Sequence, residues 1–166
     1  MPKLNKTALL SMIFHIAKGV IKGRTRLHKI IFLVQKEFSI GDFTFKPHVF
    51  GPYSPELDQL LENLIKDELI ATKDIVDPTY SFLQEKPTKV FIASKKLLEI
   101  GSQAYKELYD TDCIMALLLT RRVKGYMVMP ITRLLAYIYA KYPEFSINSM
   151  IKEKVDLWRK FYKLGE

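Results

Sequence analysis

Three histidines, a lone cysteine and a broad set of lysines and arginines are the residues of this 166-residue chain with the chemistry to build a site. A tetrahedral zinc centre takes three or four Cys, His or carboxylate ligands. Cys113 and the scattered His15, His28 and His48 offer no such spacing, so neither a metal nor a cofactor is expected. The histidines read as packing residues of intermediate burial. Cys113 precedes Ile114–Leu119, the most apolar run of the chain, and is expected to be a buried, inert thiol rather than a nucleophile. Glu56 with Asp58, and Glu62 with Asp67 and Glu68, fall at helical spacing and predict a solvated acidic face rather than an acid–base pair. Gly51-Pro52 lacks the glycine spacing and the lysine of a phosphate loop. A non-enzymatic protein is the expectation.

The cations are the stronger signal. Formal net charge is +8, and it is unevenly spread. Residues 1–50 carry nine Lys/Arg against two acids, 51–110 seven against eleven, and 111–166 ten against five. Basic ends around an acidic middle would concentrate phosphate-bearing partners at the ends. The candidate nucleic-acid contacts are Lys18, Lys22, Arg24, Arg26 and Lys29, then Arg121, Arg122 and Lys124, then Arg159 and Lys160 with Lys152, Lys154 and Lys163 nearby. Tyr126, Trp158 and Tyr162 lie among them and could stack on unpaired bases. Against this, Trp158 fits a core pattern with Val155, Leu157 and Phe161, and Arg121-Arg122 equally suits an ordinary helix C-terminus. Phe50, Tyr53 and Glu56 form an aromatic, acidic turn that could dock a protein partner, or could simply staple the start of a helix.

The elements that would position these residues are legible in part. Apolar spacing predicts helices over Thr7–Lys18 and Thr25–Phe38, joined by a basic turn. Phe43 and Phe45 alternate with polar residues and predict a short strand or extended segment. In Gly51-Pro52-Tyr53-Ser54-Pro55-Glu56-Leu57, Ser54 is an N-cap, Pro55 a first helical residue, and the acids suit the positive helix end; a helix to Lys66 follows. Leu69–Thr72 and Lys89–Ala93 read as strands about a polar hairpin, and Ser94 caps a helix to Tyr109. Helices over Asp112–Lys124, Pro130–Lys141 and Ser149–Lys163 complete the chain, with Ser146 or Ser149 as the last cap. The fold class expected is mainly α with a small antiparallel β-hairpin, winged-helix-like in its middle and flanked by helices. A single domain is expected over 1–166, with 1–110 carrying the winged-helix-like part and 111–166 a helical C-terminal part. One cysteine permits no internal disulfide, and Met1–Thr7 lacks a signal peptide's apolar run. No run is long enough to span a bilayer. The expected location is cytoplasmic.

Arg24-Thr25-Arg26-Leu27-His28-Lys29-Ile30-Ile31-Phe32-Leu33, followed by Phe50-Gly51-Pro52-Tyr53-Ser54-Pro55-Glu56-Leu57, is similar to the SocA-like antitoxin (Panacea) proteins and the related phage-associated YwgA-like proteins. Those families show a Lys-Leu-Gln-Lys-type helix and then a Gly-Pro turn. Tyr142-Pro143-Glu144-Phe145-Ser146 resembles a C-terminal segment of the YwgA-like chains. The match is densest over residues 24–70. It implies a helical domain, non-enzymatic partner binding and, for some members, neutralisation of a toxin. His28 stands where glutamine is common, and Gly-Pro-Tyr-Ser replaces Gly-Pro-Val.

A winged helix reads DNA with the helix that here begins at Pro55, and its Glu56, Asp58, Glu62, Asp67 and Glu68 would be repelled by a groove. The expectation is therefore a regulatory or adaptor protein that meets DNA, RNA or a nucleoprotein particle such as a ribosome through its basic ends. The alternative is an antitoxin-like module, or a homodimer, in which the acidic middle meets protein.

Overall fold

The computed structural model describes residues 4–83 and 87–164. Asn5 opens the first helix, α1 (Lys6–Ile16), by accepting the Ala8 N–H at 2.8 Å. Its buried residues, Leu9 to Phe14 and Ile16, surround it on nearly all sides. A short strand β1 (Val20–Lys22) leads into α2 (Arg24–Phe38), in which every residue from Arg26 to Val34 is buried. This helix is the axis of the fold. It ends at Ser39, whose left-handed φ of 55° turns the chain out of the helix.

The segment after α2 leaves only the second of the two alternatives open for it. Phe43 and Phe45 form no strand. Instead the Gln35 side chain clamps the backbone of Phe43, donating to its carbonyl at 3.0 Å and accepting its N–H at 2.7 Å. Phe43 is thereby buried, and Phe45 packs edge-on against Phe32 at 5.3 Å. Burial alternates along the segment, with Phe43 buried, Thr44 exposed and Phe45 half-buried.

A small hairpin of β2 (Lys46–His48) and β3 (Gly51–Tyr53) precedes α3 (Pro55–Lys66). Gly51 has φ of 92°, and a Cβ there would meet the Tyr139 ring at 2.8 Å, so both conformation and space demand glycine. Ser54 caps α3 through the Leu57 N–H, and Pro55 follows at the first position, as expected. Next come β4 (Ile70–Ile75), a 3-10 turn (Pro78–Leu83) and β5 (Thr88–Ala93). The tip of the expected hairpin, at 84–86, lies outside the described residues.

β5 is central in a three-stranded antiparallel sheet of order β1-β5-β4, with Phe91 opposite Ile21 on one side and Thr72 on the other. The chain order through this region is α1, β1, α2, the β2–β3 hairpin, α3, β4 and β5.

Ser94 caps α4 (Lys95–Thr111), which lies against α1. At their crossing a Cβ on Gly101 would stand 2.0 Å from the Ser11 carbonyl oxygen, so the two backbones touch. Asp112 caps α5 (Cys113–Val128), which runs four residues beyond Lys124 and packs on α4, α2 and α1. Then follow α6 (Ile131–Lys141), a 3-10 turn (Pro143–Ser146) and α7 (Lys152–Phe161). Neither Ser146 nor Ser149 caps α7, which begins after Ile151. The Ser146 hydroxyl donates to the Pro143 carbonyl, and that of Ser149 accepts from Tyr139 and from the Ile151 N–H. The protein is mainly α with a small β component, and its buried apolar residues form one cluster from Leu4 to Val155. No helix among the described residues is long and apolar enough to cross a membrane.

Candidate partner-binding site

Two of the four lysines and arginines of α2 turn inward. Arg26 is buried; its Nε donates to the Tyr80 hydroxyl at 3.0 Å and its Nη1 to the carbonyls of Tyr126 and Met129 at 2.7 and 2.6 Å. These are carbonyls at the end of α5, two of the groups a helix leaves without internal partners. Lys29 is also buried and donates to the Pro52 carbonyl at 2.9 Å, holding the β3 turn on α2. Both were expected at a phosphate-binding surface, and neither is there: each cation is committed to backbone carbonyls inside the fold.

Arg24 and His28 converge on Asp58 of α3. Arg24 Nη1 lies 2.7 Å from Asp58 Oδ1, and His28 Nε2 lies 2.8 Å from the same atom. Tyr53 donates its hydroxyl to Oδ2. The Ser54 N–H reaches His28 Nδ1 at 3.2 Å, and a backbone N–H can only donate. Nδ1 is therefore the acceptor, and Nε2 carries the proton that goes to Asp58. Burial depresses the His28 pKa despite the opposing hydrogen bond to Asp58, so the ring is neutral. For Asp58, burial acts to raise the pKa, but hydrogen bonds from His28, Tyr53 and Arg24 outweigh it and hold the carboxyl well below its ordinary range. Asp58 is thus no part of a solvated acidic face, and the cluster is a tie between α2, β3 and α3.

Phe50, Tyr53 and Glu56 each make contacts that serve the fold. Phe50 packs against the core. Tyr53 stacks on His28 at 4.9 Å, and the hydrogen bond to Asp58 pushes its phenol pKa up to about 12. Glu56 accepts from Lys6 at 2.9 Å and from the Thr44 N–H at 2.7 Å; these contacts, Lys6 first, lower its pKa to about 2.

Of the other expected nucleic-acid contacts, Lys22 pairs with Asp77, and Arg159 lies 3.5 Å from Asp156. Lys18, Arg121, Arg122, Lys124 and Lys160 are exposed. Tyr126 cannot stack on a base: it is buried, and its hydroxyl bonds Glu37.

What the structure exposes instead is one side of α5. Ala116, Leu119, Val123 and Tyr126 face the core. The opposite side carries Ile114, Leu117, Leu118 and Val128, which are 68, 54, 50 and 83% exposed. Successive positions of an α-helix lie about 100° apart, which sets Arg121 at the centre of this face with Gly125 beside it. Arg122 and Lys124 flank the face on either side. Arg122 Nε lies 3.7 Å from Glu37, while Arg121 and Lys124 have no ion-pair partner among the described residues. Near the C-terminal half runs an open groove of about 420 Å³, lined by Leu118, Arg121, Arg122, Gly125, Tyr126 and Met129. Cys113, expected to be buried, is exposed at the start of the same helix, because the core-facing positions begin at Ala116.

The face was not identified from the sequence, although a sign of it was present. A helix apolar around its whole circumference needs cover on every side, and Ile114–Leu119 has that character. No group of three or more His, Cys, Asp or Glu residues among the described ones is placed to hold a metal ion. No protein-family model, curated protein or solved structure matches the chain.

Proposed function

We propose that this protein is a non-enzymatic adaptor or regulatory module that binds another protein through the outer face of α5. One observation carries the proposal: the outer side of α5 exposes Ile114, Leu117, Leu118 and Val128, with Arg121 among them. Single exposed aliphatic side chains are ordinary, but a row of four on one helix marks an interaction surface. The ionisable groups with displaced pKa values support a non-enzymatic role, since Asp58, His28, Tyr53 and Glu56 all spend their hydrogen bonds on joining elements. The resemblance to antitoxin-like proteins, which bind partner proteins, favours the same reading.

The test compares tagged wild-type protein with Leu118→Glu, each recovered from its native cells after nuclease treatment. A stoichiometric protein retained by the wild type and lost from the variant is expected. Equal recovery of that protein by both removes α5 from the account.

A second reading keeps a nucleic-acid or nucleoprotein partner. Its support is that Lys18, Arg121, Lys124 and Lys160 are exposed and Arg121 and Lys124 lack ion-pair partners among the described residues. Here affinity for RNA or DNA would fall steeply with salt, and Arg121→Ala with Lys124→Ala would flatten that slope. An affinity constant across salt would dismiss this reading.

A further inference from the structure

We infer that the occupant of the α5 face is an amphipathic helix of the partner protein, with carboxylates beside its apolar ridge and a large apolar side chain seated over Gly125. The inference rests on the protein-binding reading above and specifies the partner's chemistry.

Spacing points to a helix. Ile114, Leu118, Arg121, Gly125 and Val128 are separated by four, three, four and three residues. That alternation is the seam along which one helix packs on another. Shape points to a large side chain at one place. A Cβ on Gly125 would have nothing within 4 Å, and the groove beside it, between Leu118 and Met129, is open. A knob from a facing helix fits such a gap.

Charge selects the sign. α5 contains no Asp or Glu, and its outer half presents Arg121, Arg122 and Lys124. A docking helix would bring its flanking positions beside these three, where carboxylates complement them and lysines oppose them. A second copy of this chain is disfavoured, because pairing α5 with itself about the centre of the seam sets Arg121 against Arg121 in a protein of net charge +8. A membrane surface is disfavoured too. Interfacial helices keep their cations on the polar side and commonly set aromatic rings in the apolar one, whereas here Arg121 sits mid-stripe and the exposed large side chains are aliphatic.

The experiment uses the full chain and two synthetic helical peptides of roughly 21 residues with the same Leu/Ile ridge, one flanked by Glu and the other by Lys. Binding is followed by fluorescence anisotropy of the labelled peptides. The Glu peptide is expected to bind at least about tenfold tighter than the Lys peptide at low salt, and to lose that advantage near 1 M salt, where screening is strong. Leu118→Glu and Gly125→Trp should each weaken it by about tenfold or more, while Leu157→Glu on α7 leaves it unchanged. Arg121→Glu with Lys124→Glu should reverse the preference between the peptides.

Equal binding of the two peptides overturns the inference. If a cellular partner is still lost on Leu118→Glu, the protein-binding reading survives without it; if no partner responds, both fall. A dimer in sedimentation that Leu118→Glu dissociates gives the face to a second copy. Tighter binding to anionic phosphatidylserine vesicles than to the Glu peptide, abolished by Leu118→Glu, gives it to a membrane. Either result overturns the acidic-helix occupant.

Discussion

Arg26 Nη1 lies 2.6 Å from the Met129 carbonyl oxygen, so a cation on the central helix closes the C-terminal end of α5. With the bonds to Tyr126 and Tyr80, the guanidinium fork joins α2, α5 and the turn after β4. A lysine cannot reproduce three donors in one plane. Arg26→Lys should therefore destabilise the protein by about 3 kcal/mol, the range for breaking a buried charged network. Urea denaturation measures it. A loss below about 1 kcal/mol would mean that Arg26 is not what fastens α5.

Acid should weaken the fold at two groups of the Asp58 cluster. His28 has a depressed pKa in the fold, so below about 6.5, the value of an unfolded histidine, the unfolded chain takes up a proton that the folded one refuses. Stability from this ring is complete above that pH and declines as pH falls, by at most about 1.4 kcal/mol per pH unit. Asp58 adds a second loss below about 4, since its carboxyl stays ionised in the fold while the unfolded one is protonated. Stability measured by urea from pH 7 to 5 should slope in the wild type and flatten in His28→Gln. Parallel curves would show that another group takes up the proton.

At Gly101 the outcome depends on backbone contact. A Cβ 2.0 Å from the Ser11 carbonyl oxygen must push α4 away from α1, although alanine is the better helix former by about 1 kcal/mol. Displacement should win, because the obstacle is backbone rather than a mobile side-chain end. Gly101→Ala is expected to lower stability by about 2 kcal/mol or more, a typical cost of overpacking. A thermal midpoint equal to or above that of the wild type would show that the two helices can slide apart freely.

What was legible in the sequence was local. Ser54 and Ser94 each cap the helix assigned to them, because a cap is decided by a residue and its neighbours three positions on. The seven α-helices among the described residues followed from periodicity and turn residues in the same way, whereas β1 lies in what reads as a basic turn and the β2–β3 hairpin was not expected. The direction in which charges point was not legible. Arg26 is satisfied by carbonyls 100 and 103 residues further along the chain, and nothing near it in sequence signals their arrival. Asp58 reads as one acid in an acidic helix until Arg24 and His28, 34 and 30 residues earlier, are brought beside it. The α5 face was missed for the converse reason: a run that is apolar at every azimuth predicts burial and cannot say which side goes without cover.

That asymmetry gives a sharp contrast between neighbours. Leu118 and Leu119 are adjacent and chemically identical, but Leu118 is half exposed on the outer face and Leu119 is buried against the core. Leu119→Glu forces a carboxyl among Ala116, Val123 and Tyr126 with no cation provided for it, and should cost about 4 kcal/mol or more, enough to unfold a marginally stable domain. Leu118→Glu places its carboxylate in water, within a helical turn of Arg121 and Arg122, and should leave stability within about 0.5 kcal/mol of the wild type. It should also improve solubility by breaking the aliphatic row. Circular dichroism with urea titration of both variants makes the comparison. Unfolding of Leu118→Glu would mean that the outer face of α5 is held within the protein itself, and with that the docking surface would be lost.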